Sequence, residues 1–205
     1  MGNRLTEDGM GYDAIRTIGT ADHLVLTFHG TGATSDQLHG LARHFLPKAH
    51  VVSPQGDVLE GRAARFFRRT GEGVYDMEDL ERRVDKMATF VHGEKTRTGV
   101  DRVSGIGYSN GANILAATAI AYPSLFDTMV LMHPLIPWDP APEPGMAAKR
   151  VLITAGRQDP ICPPDLTQAL ADWFTAQKAD CMLAWHPGGH EIQQTEIDCV
   201  ADFLR

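Results

Sequence analysis

The sequence lacks any apolar run of about 18 residues, the length from which a membrane-spanning helix is expected. Basic charge is also scarce, because 19 Lys and Arg stand against 26 Asp and Glu and leave a formal net charge of −7. Domains that bind nucleic acids need a basic surface to neutralise the phosphates. We therefore expect neither a membrane span nor a nucleic-acid partner.

Cysteine is equally rare, with three residues at wide spacing, Cys162, Cys181 and Cys199. An odd number of separated cysteines suits neither a disulfide framework nor a zinc site made of CxxC pairs. Reduced thiols are typical of the cytoplasm, and the N-terminal segment lacks the apolar core of a signal peptide. Met1–Thr6 matches the loose N-myristoylation pattern, but no polybasic second anchor follows it. We expect a cytoplasmic protein.

What the sequence does contain is an ordinary globular composition, with 43% apolar and 22% charged residues. A chain of 205 residues is long enough to bury a substantial core and short enough to form one domain. We expect a single domain over residues 1–205, with little length left for an inserted cap domain.

Short, almost continuous apolar runs alternate with helical patterns along the chain. Such runs are typical of strands that are covered on both faces, as in a parallel sheet. The runs are Leu24–Phe28, His50–Ser53, Val103–Gly107, Thr128–Met132, Val151–Thr154 and Met182–Trp185. The alternation predicts an α/β fold, a mostly parallel, doubly wound sheet with helices on both faces.

The helical patterns place apolar residues three or four positions apart. They cover Leu80–Val91, Ala112–Ala121, Leu166–Gln177 and Ile192–Phe203. Thr34 and Gln37 have the spacing of a capping box, which predicts a helix that begins near Ser35. Residues 54–75 and 134–145 show no clear period, and long loops of this kind often carry function.

A nucleophile motif follows the run Val103–Gly107. The chain continues as Tyr108-Ser109-Asn110-Gly111 and then as a helical pattern, so G-x-S-x-G lies between a strand and a helix. This context is typical of a nucleophile elbow. We expect Ser109 in a strained turn with its hydroxyl exposed, flanked by glycines because a Cβ there would collide with neighbouring backbone.

A serine hydroxyl needs a base, and two downstream strand ends supply the partners. Asp159 follows the fifth apolar run and His190 follows the sixth. In such sheets the ligand site lies beyond the carboxyl ends of the strands. The order Ser109, Asp159, His190 is that of the α/β-hydrolase triad, so we predict nucleophile, orienting acid and base in that order.

Acyl transfer also needs N–H donors for the oxyanion. The residue after the nucleophile, Asn110, supplies one main-chain amide. The loop after the first apolar run supplies a second, which we assign to Thr31.

Gly105, Gly107 and Gly111 also form a loose dinucleotide fingerprint. The acidic residue expected after the next strand is missing, and His133 stands there instead. His133 is an alternative general base because it also follows a strand. It precedes Asp159, however, and this breaks the triad order.

A near match to the zinc motif H-E-x-x-H begins at His190. Gln194 occupies the position of the second ligand, and zinc sites need three or four converging ligands. We expect no metal and no organic cofactor.

Six segments of the chain together resemble one known family. They are His29–Leu38 (HGTGATSDQL), Arg65–Arg69 (RFFRR), Gly107–Ile114 (GYSNGANI), His133–Pro137 (HPLIP), Asp159–Pro164 (DPICPP) and Gly188–His190 (GGH). These segments resemble the phospholipase/carboxylesterase group of the α/β-hydrolases, which are small serine esterases without a cap domain. The second, third and fifth segments are most similar to a bacterial branch linked to hydroquinone and catechol resistance.

The resemblance implies an α/β-hydrolase fold and a serine carboxylesterase that cleaves small to medium carboxylic esters through an acyl-enzyme. It implies the same roles for Ser109, His190 and Asp159, and an oxyanion hole made by the Thr31 and Asn110 amides. It also implies the absence of metal and organic cofactors.

Two alternatives stay open beside the esterase. A lysophospholipase or acyl-protein thioesterase shares the fold, but thioesterase members usually carry Gln at the position of Asn110. A catalytically silent ligand-binding protein is the rival from another class, and the complete Ser-Asp-His set argues against it.

Side chains near these positions are candidates for the substrate pocket. They are Phe66, Phe67, Leu135, Ile136, Trp138, Ile161 and Cys162, and Phe66 and Phe67 are equally candidates for the core. Arg65, Arg68 and Arg69 are candidates for binding an anionic substrate, although such clusters are more often solvated or ion-paired. The expected partner is a small-molecule ester, and the sequence leaves open whether the chain forms a homodimer.

Overall fold

The computed structural model describes residues 11–205, so the Met1–Thr6 pattern lies outside the described residues. The strands are β1 (Ala14–Thr17), β2 (His23–Phe28), β3 (His50–Pro54), β4 (Val58–Glu60), β5 (Ala63–Arg65), β6 (Arg69–Gly71), β7 (Val74–Tyr75), β8 (Arg102–Tyr108), β9 (Thr128–Met132), β10 (Arg150–Gly156) and β11 (Asp180–His186). Seven of them form one sheet in the order β1-β3-β2-β8-β9-β10-β11. β1 pairs antiparallel with β3, and the other neighbours are parallel.

The six predicted strands are therefore confirmed, each within two residues of its ends. Side chains alternate between the two faces of a strand. In β2, Leu24 and Leu26 enter one core cluster and Val25 enters the other. Both faces are buried, and for this reason the runs are apolar at nearly every position.

The helices are α1 (His39–Phe45), α2 (Met77–Thr98), α3 (Asn110–Ala121), α4 (Pro164–Ala176) and α5 (Gln194–Leu204). The larger core cluster receives apolar residues of α2, α3 and α4, and the smaller receives those of α1 and α5. Helices thus cover both faces, as a doubly wound fold requires. Among the described residues, no cap domain is inserted between the strands.

The helix predicted near Ser35 begins instead at His39. The side chains that suggested a capping box have other partners: Thr34 donates to the Asp36 carboxylate, and Gln37 accepts from the Gly30 amide. The segment after β2 is consequently a turn that approaches the carboxyl edge of the sheet.

Two small hairpins occupy the stretch that showed no period. β4 pairs with β5, and β6 pairs with β7, in both cases antiparallel. None of these strands exceeds three residues, which is too short for a visible alternation of apolar and polar residues in the sequence.

None of the helices in the described part of the chain combines the length and apolar character needed to cross a membrane.

Candidate active site

Ser109 lies in the turn between β8 and α3 with φ 52° and ψ −119°. A non-glycine residue rarely adopts this conformation, and neighbouring contacts hold it in place. The Ser109 amide donates to the Met132 carbonyl at 2.9 Å. A Cβ on Gly107 would lie 2.6 Å from the Gly111 carbonyl oxygen, and one on Gly111 would lie 2.1 Å from the Phe28 carbonyl oxygen. The glycines are therefore required for the helix to pack against the sheet.

His190 and Asp159 converge on Ser109 from two neighbouring strand ends. His190 Nε2 lies 2.8 Å from Ser109 Oγ, and His190 Nδ1 lies 2.7 Å from Asp159 Oδ2. In this arrangement a neutral imidazole donates from Nδ1 to the carboxylate and accepts the hydroxyl proton at Nε2. The geometry is that needed for general-base activation of a serine.

The Asp159 carboxylate is buried and accepts four hydrogen bonds. Oδ1 accepts from the amides of Ile161 and Cys162 at 2.8 and 2.9 Å. Oδ2 accepts from His190 and also from His133 Nδ1 at 2.8 Å. Burial alone would raise the pKa of Asp159, but the hydrogen bonds from His133, Cys162 and the other donors outweigh it and lower the pKa. The carboxylate is therefore ionised at neutral pH.

Two main-chain amides are available beside the nucleophile. Asn110 is the first residue of α3, so its N–H has no partner within the helix. The neighbours of Thr31 are engaged, since Gly30 N–H donates to Gln37 Oε1 and Gly32 N–H donates to Ala64 O. Within residues 11–205, no hydrogen bond uses the Thr31 N–H. Both amides can therefore serve a developing oxyanion.

Arg65 and Phe66 hold these two residues. Arg65 Nη1 donates to Thr31 Oγ1 at 2.9 Å, and the Phe66 amide donates to Asn110 Oδ1 at 2.8 Å. The last residue of β5 and the residue after it thus bridge the two residues of the predicted oxyanion hole. Sequence reasoning missed this role, because no local pattern connects residues so far apart in the chain.

The nucleophile opens into a cavity of about 280 Å³. Its lining comprises Thr31, Arg65, Arg69, Glu72, Gly73, Tyr75, Tyr108, Ser109, Asn110, Asn113, Leu135, Ile161, Cys162 and His190. Three of the predicted pocket side chains, Leu135, Ile161 and Cys162, are in this lining. Their contact with substrate stays a prediction.

The other four predicted pocket residues lie elsewhere. Phe66 and Phe67 have no exposed surface, because Phe66 packs edge-on against Phe28 and Phe67 packs against Tyr75. Placing them in the pocket was wrong.

Ile136 and Trp138 line a separate cavity of about 180 Å³ between the proline-rich loop and α4. Including them in the substrate pocket was also wrong. The Leu135 amide donates to Asn113 Oδ1, and Leu135 lines the Ser109 cavity, whereas Ile136 and Trp138 line the second cavity.

The three arginines are ion-paired. Arg65 Nη1 lies 3.3 Å from Glu60 Oε2, and Arg69 contacts both Glu60 and Glu72 at 3.0 and 2.6 Å. The Arg68 guanidinium pairs with Asp76 at 3.0 Å and is not part of the cavity lining. The charges of the cavity wall are therefore balanced, which favours the ion-pair interpretation of the cluster.

Three uncharged polar residues of the lining, Tyr75, Tyr108 and Asn113, were not predicted. Tyr75 donates to the Leu135 carbonyl at 2.8 Å and accepts from Asn113 Nδ2 at 2.8 Å. Tyr108 donates to the His190 carbonyl at 2.7 Å and so ties the histidine loop to the nucleophile turn. Tyr108 and Asn113 lie within the G-x-S-x-G segment or beside it, which could have indicated them. Tyr75 lies in the stretch without period, where no such signal exists.

His133 is not placed to act on Ser109. Its ring lies behind Asp159, with Nδ1 toward that carboxylate and Nε2 toward Glu196.

Two sets of three side chains in this region have ligand types that could hold a metal ion. The first set is His133, His186 and Glu196, and the second is His133, Asp159 and His190. Gln194, from the near match to a zinc motif, begins α5 and bonds Asp198.

Known proteins resemble this chain over most of its length. A model of the dienelactone hydrolase family matches residues 60–197. MhqD of Bacillus subtilis (strain 168), named as a hydrolase, is 36% identical over 189 residues, which cover 91% of this chain and 94% of MhqD.

Solved structures agree with this similarity. Atu2452 of Agrobacterium tumefaciens str. C58, described as of unknown function, is 50% identical with a TM-score of 0.89, covering 94% of this chain and 95% of that one. A carboxylesterase of Bacillus cereus is 32% identical with a TM-score of 0.88, covering 94% of this chain and 93% of that one.

Proposed function

Because the chain belongs to the dienelactone hydrolase family of α/β-hydrolases, we propose that it is a serine carboxylesterase acting on small to medium carboxylic esters. The observation that carries the proposal is the unbroken contact from Ser109 Oγ through His190 to Asp159, with distances of 2.8 and 2.7 Å. The carboxylesterase of Bacillus cereus, similar over nearly the whole chain, supports the same reaction class.

The reaction proceeds in two acyl-transfer steps. His190 takes the proton of Ser109 as the hydroxyl attacks the ester carbonyl, and the oxyanion accepts N–H donation from Thr31 and Asn110. His190 returns the proton to the leaving alcohol, which gives the acyl-enzyme. Water then repeats the sequence and releases the acid, while Asp159 holds the imidazole in the required tautomer.

The size of the cavity favours short esters over lipids. Its volume of about 280 Å³ lies at the lower end of the range for small-molecule sites. A lysophospholipase or protein deacylase would need a longer apolar groove. Rates on acetate, butyrate and octanoate esters of p-nitrophenol should fall with chain length, and a maximum at octanoate would favour the long-chain alternative.

Removal of the nucleophile tests the proposal directly. Ser109→Ala should lower kcat on p-nitrophenyl acetate by roughly 10⁴-fold, because no other group can form the acyl-enzyme. Ser124→Ala, an exposed serine in the turn after α3, is the matched control and should retain full activity.

A fluorophosphonate probe gives a second measurement. It should add one adduct at Ser109 in the wild type and in Ser124→Ala, and none in Ser109→Ala. Residual activity of Ser109→Ala within tenfold of the wild type, or labelling at another serine, would overturn the proposal.

A further inference from the structure

The buried side of Asp159 is occupied by a second imidazole, that of His133. His133 follows β9, is fully buried and has φ 50°. This backbone conformation is strained for a non-glycine residue, so the surrounding contacts must fix it. Its Nδ1 lies 2.8 Å from Asp159 Oδ2, the same oxygen that faces His190 Nδ1.

The contacts of the His133 ring determine where its protons lie. An ionised carboxylate only accepts hydrogen bonds, so His133 Nδ1 must carry a proton toward Asp159. On the other side, His133 Nε2 lies 3.1 Å from Glu196 Oε1 and 3.3 Å from Oε2. A contact this short between two polar atoms needs a proton on one of them.

The surroundings of Glu196 favour its ionised form. Its Oε2 accepts the Gln193 amide at 2.8 Å in the capping box of α5, and a helix N-terminus stabilises negative charge. His186 Nδ1 accepts the Gly188 amide at 3.1 Å, so the His186 proton is on Nε2, which lies 3.4 Å from His133 Nε2 and 3.2 Å from Glu196 Oε2. Because an ionised Glu196 carboxylate can only accept, the proton in its contact with His133 Nε2 belongs to His133.

The pKa shifts of the two groups both favour their charged forms. Burial opposes the charge of His133, but hydrogen bonds with Glu196 and Asp159 outweigh it and raise the pKa of His133. Burial likewise opposes the charge of Glu196, but the hydrogen bond from His133 contributes to a lowered pKa.

Titratable groups face His133 from every neighbouring element. They are Tyr108 of β8, Asp159 and Cys162 of the loop after β10, His186 of β11, His190 of the loop after β11, and Glu196 of α5. Burial raises the pKa of Tyr108 to about 12 and also raises that of the Cys162 thiol, so both are neutral. Apart from His190, the charges of the cluster are two carboxylates and one imidazolium.

We propose that Glu196 and His133 are positioning residues for the predicted triad. The His133 imidazolium, held by Glu196, donates to Asp159 Oδ2 and fixes the carboxylate that orients His190. Its positive charge lies beside the His190 ring, with 5.1 Å between ring centroids, and opposes a second positive charge there. The inference rests on the proposed esterase function.

A metal ion would be the other use of His133, His186 and Glu196. Zinc bound by both histidines would require a free lone pair on each Nε2. The Gly188 amide, however, donates to His186 Nδ1 and so places the ring proton on Nε2. The hydrogen bonds therefore favour a proton over a metal ion.

Glu196→Gln tests the pair, because glutamine keeps the shape of the side chain but not its charge. His133 should then lose its proton, and the positive charge beside the His190 ring is lost with it. The acid limb of the kcat/KM profile should move to higher pH by about one unit, which is about a tenfold loss on that limb. Glu94→Gln is the matched control, since Glu94 is a buried carboxylate of α2 that pairs with Arg16 and Arg97. It should leave the acid limb unmoved.

Nitrogen-15 NMR of the imidazole rings gives a readout that does not depend on activity. At pH 7.5 both ring nitrogens of His133 should be protonated in the wild type, whether or not Glu196→Gln folds. A neutral His133 ring, an unmoved acid limb in a folded Glu196→Gln, or one equivalent of zinc in the purified wild type would overturn the proposal. Absence of Ser109-dependent hydrolysis would instead refute the proposed function and leave the ring measurement intact.

Discussion

At the scale of single residues, the position of the nucleophile depends on the glycines beside it, because they have no side chains. Ser109 is held at φ 52° between a strand and a helix that approach within backbone contact. A Cβ on Gly107 would lie 2.7 Å from Ala112 N, which is closer than real Cβ contacts. The glycines of the G-x-S-x-G pattern are therefore needed for the close packing of β8 and α3, and this packing determines the position of Ser109.

This constraint predicts the effect of adding one methyl group. Gly107→Ala should lower the free energy of unfolding by about 2–3 kcal/mol, because the overlap forces the α3 backbone away from β8. Gly93→Ala is the control, since nothing lies within 4 Å of its Cβ inside α2. It should stabilise by about 0.5–1 kcal/mol. Urea unfolding followed by circular dichroism measures both, and equal stabilities of the two variants would contradict the packing argument.

At the scale of elements, the small β4–β5 hairpin supports the predicted oxyanion loop. Gly32 N–H donates to the Ala64 carbonyl at 2.9 Å, and Arg65 reaches Thr31 Oγ1. The first residue after the hairpin, Phe66, bonds the Asn110 side chain. The hairpin therefore determines the separation of the two amides, and we expect it to affect the transition state more than the bound substrate.

Arg65→Met tests this role of the hairpin. Loss of the Thr31 contact should lower kcat on p-nitrophenyl acetate by about 10-fold or more, with KM within about threefold. Arg68→Met is the matched control, because Arg68 pairs with Asp76 outside the cavity and should leave both constants unchanged. A rise in KM alone, confined to anionic esters, would instead assign Arg65 to substrate binding.

At the scale of the whole molecule, the two-layered core carries several histidines in neutral form. Burial lowers the pKa of His23 to about 4, and burial also lowers the pKa of His29 and His39. Between pH 6.5 and 4 the unfolded chain takes up a proton at His23, whereas the folded chain does not. His23 therefore makes the protein less stable as the pH falls through that range, and His29 and His39 act in the same direction below pH 6.5.

The pH dependence of stability tests this expectation. For His23 the loss between pH 6.5 and 4 amounts to up to about 3 kcal/mol. His23→Gln, which can still bond Ser104, should flatten the decline measured by urea unfolding from pH 7 to 4.5. His92→Gln, an exposed position on α2, should leave the slope unchanged. An identical slope in all three proteins would show that His23 does not contribute.

The comparisons confirm the resemblance to α/β-hydrolase esterases and the doubly wound fold. The roles of Ser109, Asp159 and His190, the single domain over residues 1–205 and the cytoplasmic location stay predictions, and the homodimer stays an open possibility.

The sequence by itself determined the sheet and the order of the chemical groups. Strands covered on both faces must be apolar at nearly every position, so the sequence alone predicts the strand Thr128–Met132 with its observed ends. The glycines around Ser109, and the strand ends before Asp159 and His190, are likewise local signals.

Only the tertiary structure decided which residues surround these groups. It buried Phe66 and Phe67 rather than exposing them to substrate, and it placed His133 against Asp159 rather than against Ser109. Such contacts join residues that are distant in the chain, and their energies depend on burial and hydrogen-bond partners. No local periodicity or spacing in the sequence indicates burial or hydrogen-bond partners, because both are determined only when the elements pack together.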